Sequence, residues 1–190
     1  KVWLNAASTL RYPADFSGAN REVWQEGEAY FQVHGTAEHP FIVHTSRQRV
    51  EVLGTEFNIR AYQDDRQSVT TLLQGKVSVE SAGKSLLLAP GEQALSDSGS
   101  SPALNPSADI AEATAWKDGF FRFDKADIHA IMQQLARWYD VEVSYAPGLD
   151  NHLFGALISR DNNISEVLDM LEQTGDVHFQ ISGRKVAVLP

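Results

Sequence analysis

The chain has 190 residues, 43% of them hydrophobic, a formal net charge of −9 and no cysteine. That is enough apolar chain for the core of one large domain or two small ones. The charge excludes the basic face that nucleic-acid phosphates or an anionic membrane surface require, and the missing cysteine excludes disulfides, thiolate metal sites and a cysteine nucleophile.

No run approaches the roughly 18 apolar residues of a membrane-spanning helix, and no secretory signal is visible at the start. The opening "KVWLNAASTLRYP" is already in mid-pattern, as expected of a fragment of something longer.

From Val2 to Leu95 the hydrophobic period is two. Ala29/Phe31/Val33, Val50/Val52, Phe57/Ile59, Val69/Thr71/Leu73, Val77/Val79 and Leu86/Leu88 are spaced by two, with polar residues mostly between them. This is the half-buried strand pattern. Turn residues punctuate it at Ser17-Gly18, Glu26-Gly27, Gly54, Gln74-Gly75, Ala82-Gly83 and Pro90-Gly91. Residues 1–95 therefore read as an all-β domain of short antiparallel strands, a sandwich or solenoid-like stack. "EGEAYFQVHG" and "QGKVSVESAG" echo each other at an offset of 48, which suggests two similar hairpins.

Within "VEVLGTEFNIRAY" the apolar set moves from even numbers (Val50, Val52) to odd (Phe57, Ile59, Ala61). A slip of one residue turns every side chain to the other face unless the backbone absorbs it. Gly54 is expected at a bulge or corner, in a conformation that a β-branched residue resists. Gly75 and Gly91 are expected at turns.

Residues 96–118, rich at first in Ser, Pro, Asn and Asp, read as a linker, with a short helical turn in "ADIAEATAW". After Gly119 the period changes. Ile128, Ile131, Met132, Leu135 and Tyr139 make one face of a helix, and Ile164, Val167, Leu168 and Leu171 another. Asp127 and Asn163 stand at the N-cap positions. Asn163 with Glu166 forms the capping-box spacing, and Gly175 stands where the second helix should stop. The two segments correspond at an offset of 36, Gly119 to Gly155 and Asp140 to Asp176 among them. Residues 119–190 thus read as a small α/β domain of two βαβ units sharing one sheet, with right-handed crossovers and a closing hairpin near Ser182-Gly183.

The chemistry-bearing motifs are sparse. Gly54-Thr55 lacks the further glycines and following helix of a dinucleotide loop, and Gly75-Lys76 lacks the rest of a phosphate loop. His34, His39 and His44 are spaced by five and five with Gly35 and Pro40 between them, and His129, His152 and His178 are isolated. Imidazole metal sites need convergent partners, so no metal ligand is assigned. Glu26, Glu28 and Glu92 sit beside turns and read as solvated rather than as a paired acid and base. No Gly-x-Ser-x-Gly elbow occurs. Trp3, Trp24 and Trp116 pack on sheet faces or, alternatively, line a sugar platform; Trp24 falls out of phase with Val23, facing outward. No catalytic or cofactor-binding residue is assigned, and no cofactor is expected.

In order and wording, "VWLNAASTLRYP", "EVWQEGEAYFQV", "PFIVHTSRQRVEVLGTEFNIRAY", "TTLLQGKVSVES" and "LLLAPGEQA" resemble the periplasmic FecR domain. "AWKDGFFRFDKADIHAIMQQLARWYDVEVSY" and the second βαβ segment resemble the C-terminal module of the same proteins, itself similar to the secretin and TonB short N-terminal domain. The phrasing is closest to FecR-like proteins of Bacteroidetes. The resemblance implies the periplasmic part of a single-pass inner-membrane sigma regulator, or anti-sigma factor. Such a protein holds an extracytoplasmic-function sigma factor through a cytoplasmic segment and receives a signal from the signalling domain of a TonB-dependent outer-membrane transporter. It implies no enzyme activity, no nucleic-acid partner and no membrane contact by this fragment.

An uncovered sheet edge pairs with a partner strand. "LFGALI" (153–158) is the apolar strand suited to that role, with Phe154, Ala156, Leu157 and Ile158 as contact residues; the same run also suits a buried central strand. The rival function is a periplasmic carbohydrate-binding β-domain.

Overall fold

The computed structural model describes residues 1–35, 39–149, 152–174 and 177–190. The chain divides between Lys117 and Asp118 into two units. Unit one holds β1 (Val2–Leu4), β2 (Thr9–Arg11), β3 (Arg21–Val33), β4 (Phe41–His44), β5 (Arg49–Val52), β6 (Thr55–Ala61), β7 (Ser68–Gln74), β8 (Val77–Ser81), β9 (Lys84–Leu88), β10 (Gln93–Ser96) and β11 (Ala103–Asn105). They form one sheet in the order β11-β10-β7-β6-β3-β4-β5-β8-β9, with β1 and β2 laid on β3. Among the described residues every pair in it is antiparallel except β3 with β4.

Strand β3 is long because it serves two sets of partners in turn. Residues 21–24 pair with β4 and 24–26 with β2. Residues 27–33 pair with β6 and 29–31 with β1. The changeover falls at Gly27, whose φ is 87°. A Cβ there would lie 2.7 Å from Ser8 Cα, and only glycine takes that backbone without strain. The sheet bends here, so the inner faces of both halves share one core that includes Val23, Phe31, Val43, Val50, Phe57 and Leu72. Strands β9 and β10 approach each other and bring the roll nearly to closure.

The Glu26-Gly27 echo is therefore not a second hairpin. Gln74-Gly75 turns the chain between β7 and β8, whereas Glu26-Gly27 lies inside β3. A glycine with positive φ serves a turn or a bend within a strand equally well, and sequence similarity does not separate the two.

The phase slip in 50–61 is real. Val50 and Val52 are buried on β5, and Phe57, Ile59 and Ala61 on β6. The chain crosses at Leu53-Gly54 from the β4–β8 half of the sheet to the β3–β7 half. Gly54 sits at this corner, but its φ is not in the left-handed region. The tighter constraint is across from it: a Cβ on Gly35 would lie 1.1 Å from the Leu53 carbonyl oxygen, against 3.3 Å from a Cβ on Gly54 to the Gly35 nitrogen. Gly75 (φ 96°) closes the same corner, where a Cβ would lie 2.8 Å from the Gly54 oxygen. Gly91 (φ 92°) turns the chain between β9 and β10 in open space.

The segment expected as a linker is built into the first unit. β11 pairs with β10. Helix α1 (Ile110–Thr114), capped by Asp109, packs on β7, and a 3-10 turn follows at Ala115–Asp118. Together they cover an outward row that runs in register through Trp3, Tyr30, Asn58, Thr71, Gln93 and Asn105. Asn105 donates to Gln93 Oε1 (3.0 Å), Gln93 to Thr71 Oγ1 (2.9 Å) and Trp116 Nε1 to Asn58 Oδ1 (3.2 Å). Polar composition marked 96–118 as free chain, yet a polar segment docks where the surface beneath it is also polar and can bond to it.

The second unit holds β12 (Phe120–Asp127), α2 (Ile128–Tyr139), β13 (Glu142–Tyr145), β14 (Leu153–Ser159), α3 (Ile164–Glu172), β15 (His178–Ser182) and β16 (Lys185–Leu189). The helices start where their caps place them. The Asp127 side chain accepts from the Ala130 nitrogen, and Asn163 with Glu166 makes both bonds of a capping box. Ile128, Ile131, Met132 and Leu135 of α2 are buried, as are Val167, Leu168 and Leu171 of α3. Gly175 and Asp176 lie outside the described residues.

The strands do not share one sheet, which corrects the βαβ expectation. β12 pairs antiparallel with β14, while β16 pairs parallel with β13 and antiparallel with β15. The strands flanking α2 thus go to different sheets. The helix stripes find cover on both: Phe121, Phe123, Phe154 and Ile158 from one, Val186 and Val188 from the other. Hydrophobic period reports that a segment is a strand and which face is apolar, not which strand lies beside it.

Candidate partner-docking surface

The β12–β14 ribbon positions the residues suggested for partner contact. Its register places Phe121 opposite Ile158, Phe123 opposite Ala156, and Ala126 opposite Phe154. These face the core: Phe154 and Ile158 are each 5% exposed and belong to the buried cluster. On the other face, Arg122 stands opposite Leu157 and Asp127 opposite Leu153. Leu157 is 64% and Leu153 61% exposed, and Phe120 is exposed as well.

Of Phe154, Ala156, Leu157 and Ile158, only Leu157 has a well-exposed side chain. Phe154 and Ile158 are core residues, and half-buried Ala156 packs inward. In "LFGALI" nearly every position is apolar, so nothing polar marks the outward face and both phases fit. Leu153, Phe120 and Arg122 were missed for that reason. Among the described residues β14 has a strand on one side only, which leaves a line of backbone donors and acceptors on the other side.

The ribbon is anchored where β14 ends. The Arg160 guanidinium lies 4.6 Å from the Phe121 ring centroid and 4.7 Å from that of Trp138. Trp138 Nε1 donates to the Arg160 carbonyl and Tyr139 to that of Asn162. A guanidinium lying over two aromatic rings is attracted to both, so α2 fixes the strand from behind. Lys125, with φ 53°, sits in a bulge between Phe123 and Ala126 that bends β12.

The other singled-out residues do not converge. His39 Nδ1 lies against the Ala19 carbonyl, and His44 is 3.0 Å from Glu22. His129 packs on Tyr145 and His178 lies 3.9 Å from Glu172. Among the described residues no three metal-ligating side chains gather. The Glu22 carboxyl is held below the usual range, chiefly by its bond to His44 and next by Asn20. Glu28 is buried and accepts from Asn5 (2.8 Å) and Asn58 (2.9 Å). Glu92 accepts from the Ala89 nitrogen in a turn.

Trp3, Trp24 and Trp116 each pack against neighbours of their own on the sheet. Trp24 stands in register between Arg11 and His44, with the guanidinium 5.0 Å from its centroid and the imidazole stacked at 5.4 Å. Both of its faces are occupied. Trp3 meets Tyr30 edge-on, with Lys117 over both rings, and Trp116 bonds to Asn58 on the covered row.

No helix among the described residues is long and apolar enough to cross a membrane. No curated protein matches the chain. A family model described as FecR protein matches residues 1–78, and one described as FecR, C-terminal matches residues 120–188. Two crystal structures of a Parabacteroides distasonis ATCC 8503 protein, provisionally described as an anti-sigma factor, are similar along nearly the whole length. Each is 28% identical with a TM-score of 0.88, covering 98% or 99% of this chain and 88% of that one. With both family models matched in order, one on the rolled sheet and the other on the α/β unit, the chain belongs to the FecR family.

Proposed function

We propose that this chain is the periplasmic, signal-receiving part of a FecR-type sigma regulator. It relays a signal from the signalling domain of a TonB-dependent outer-membrane transporter to an extracytoplasmic-function sigma factor, which the parent protein holds through a cytoplasmic segment. The family supports the sigma-regulator role, and the similar Parabacteroides structures carry an anti-sigma description. The receiving module in this reading is residues 119–190.

One observation carries the docking site: Leu153 and Leu157 stand exposed on the outward face of β14, a strand with a neighbour on one side only. Apolar side chains on such a strand suit pairing with an extended segment, the backbone supplying affinity and alternate side chains specificity. The relay calls for binding and no bond-breaking chemistry.

The test is titration of the 190-residue chain with purified transporter signalling domains. The expected result is specific binding that Leu157→Asp weakens at least tenfold, because a charge replaces an apolar contact at the interface. Binding that Leu157→Asp leaves intact would place the site elsewhere. No binding of any signalling domain would sink the relay.

A further inference from the structure

The residues just before the chain enters the second unit are tied to both ends of the first strand. From Trp116, Nε1 donates to Asn58 Oδ1 (3.2 Å) and Asn58 Nδ2 donates to Glu28 Oε1 (2.9 Å). Glu28 Oε2 accepts from Asn5 Nδ2 (2.8 Å), and the Asn5 nitrogen donates to the Glu28 carbonyl (2.9 Å). Asn5 follows directly on β1. From Lys117, the ammonium lies 5.3 Å from the Tyr30 centroid and 6.0 Å from that of Trp3, which is in β1. Tyr30 donates to Glu56 Oε2 (3.0 Å), and Gln32 Nε2 donates to Glu56 Oε1 (2.7 Å). The Gln32 nitrogen in turn donates to the Lys1 carbonyl, and the Lys1 nitrogen to the Gln32 carbonyl.

The links are short, and the central ones are dry. Asn58 is 2% exposed, Tyr30 6% and Glu28 8%. A buried carboxylate holds its amide donors firmly, because losing one leaves charge without compensation. Strand β1 by contrast is three residues long, with Val2, Trp3 and Leu4 all exposed. So short an edge strand has little of its own to hold it, and its order depends on what grips its ends.

We propose that residues 115–117 act as a strap that couples the entrance of the second unit to strand β1. Pulling or twisting the chain at Asp118 loosens Trp116 and Lys117 from their sites, and the release reaches β1 through Asn58–Glu28–Asn5 and Tyr30–Glu56–Gln32. The coupling holds whatever partner the second unit binds.

A chain of contacts is not by itself a coupling, and the test measures coupling directly. Backbone hydrogen exchange is followed on the full 190-residue chain for Trp116→Phe, which removes the indole donor, and for Lys117→Met, which keeps the stem and removes the charge. The expected result in each is exchange about five- to tenfold faster at the β1 amides, with β8 and the second unit unchanged. Coupling is reciprocal, so Asn5→Ala accelerates exchange at 115–117 by a similar factor. Unchanged β1 exchange in both strap variants would overturn the proposal. So would an equal acceleration in every strand of the first unit, which reports general loss of stability. The two variants remove different contacts, so either suffices if the other fails to fold.

Discussion

The row Trp3, Tyr30, Asn58, Thr71, Gln93, Asn105 and the row Arg11, Trp24, His44, Arg49, Glu80 lie on the outside of the same rolled sheet, each in register from strand to strand. The first is covered by α1 and the 3-10 turn, and its central members are buried. It is made of amides, hydroxyls and aromatic rings that bond to one another and to the strap. The second is bare. It carries charge, with Arg49 Nη2 2.8 Å from Glu51 and Nη1 3.7 Å from Glu80. The contrast follows the cost of burial: polar groups go under cover when each finds a partner, as the Glu28 carboxylate does between Asn5 and Asn58, whereas the charges of the second row stay where water solvates them.

Breaking the covered row should cost most. Asn58→Ala withdraws a donor from the buried Glu28 carboxylate and an acceptor from Trp116. The expected loss is about 3 kcal/mol, read from urea unfolding of the first unit. On the bare row, Trp24→Ala removes a ring held between Arg11 and His44. The expected loss is about 1 kcal/mol, because that side chain is partly solvated already.

Acid should sharpen the comparison next. The Glu56 carboxyl is held below the usual range by hydrogen bonds from Gln32 and then Tyr30, with smaller help from His34 and Lys117. A carboxyl lowered in the folded state adds stability that is fully present above its unfolded value, near 4.3. That stability is lost as pH falls through the lower folded value. Glu56→Gln is therefore expected to lower stability at neutral pH by that contribution and to flatten the acid limb of a stability–pH curve below about pH 4.3, so that the variant and the parent chain converge as pH falls. The smallest effect belongs to Arg49→Ala on the bare row. Its ion pairs are more than a third exposed, so the expected change is within about 0.5 kcal/mol, shrinking further in added salt. A loss above 2 kcal/mol there would erase the distinction between the rows.

The local features were legible in the sequence. The stripes Ile128–Ile131–Met132–Leu135 and Ile164–Val167–Leu168–Leu171, with caps at Asp127 and Asn163, depend on residues three or four apart, and the helices formed where those spacings placed them. The period-two strands and the phase slip between Val52 and Phe57 are local in the same sense. The order of the FecR-like motifs was also legible, and it named the family.

Contacts between distant residues decided the rest. β12 lies beside β14 rather than β13, because the helix stripes are covered on two sides, and no spacing along the chain reports that. Gly27 bends a strand while Gly75 makes a turn, and the difference lies in Ser8 and β6 beside Gly27. Gly54 marked the corner, but the glycine with the least room for a side chain is Gly35, set against the Leu53 carbonyl. Residues 96–118 read as linker because their composition is polar, and they dock because Asn58, Thr71 and Gln93 present matching polar groups from three other strands. In "LFGALI" the chain alone left both faces open; packing against α2 and β12 turned Phe154 and Ile158 inward and Leu153 and Leu157 out. Periodicity along the chain specifies an element and its apolar side, whereas pairing and cover depend on the shape of everything folded against it.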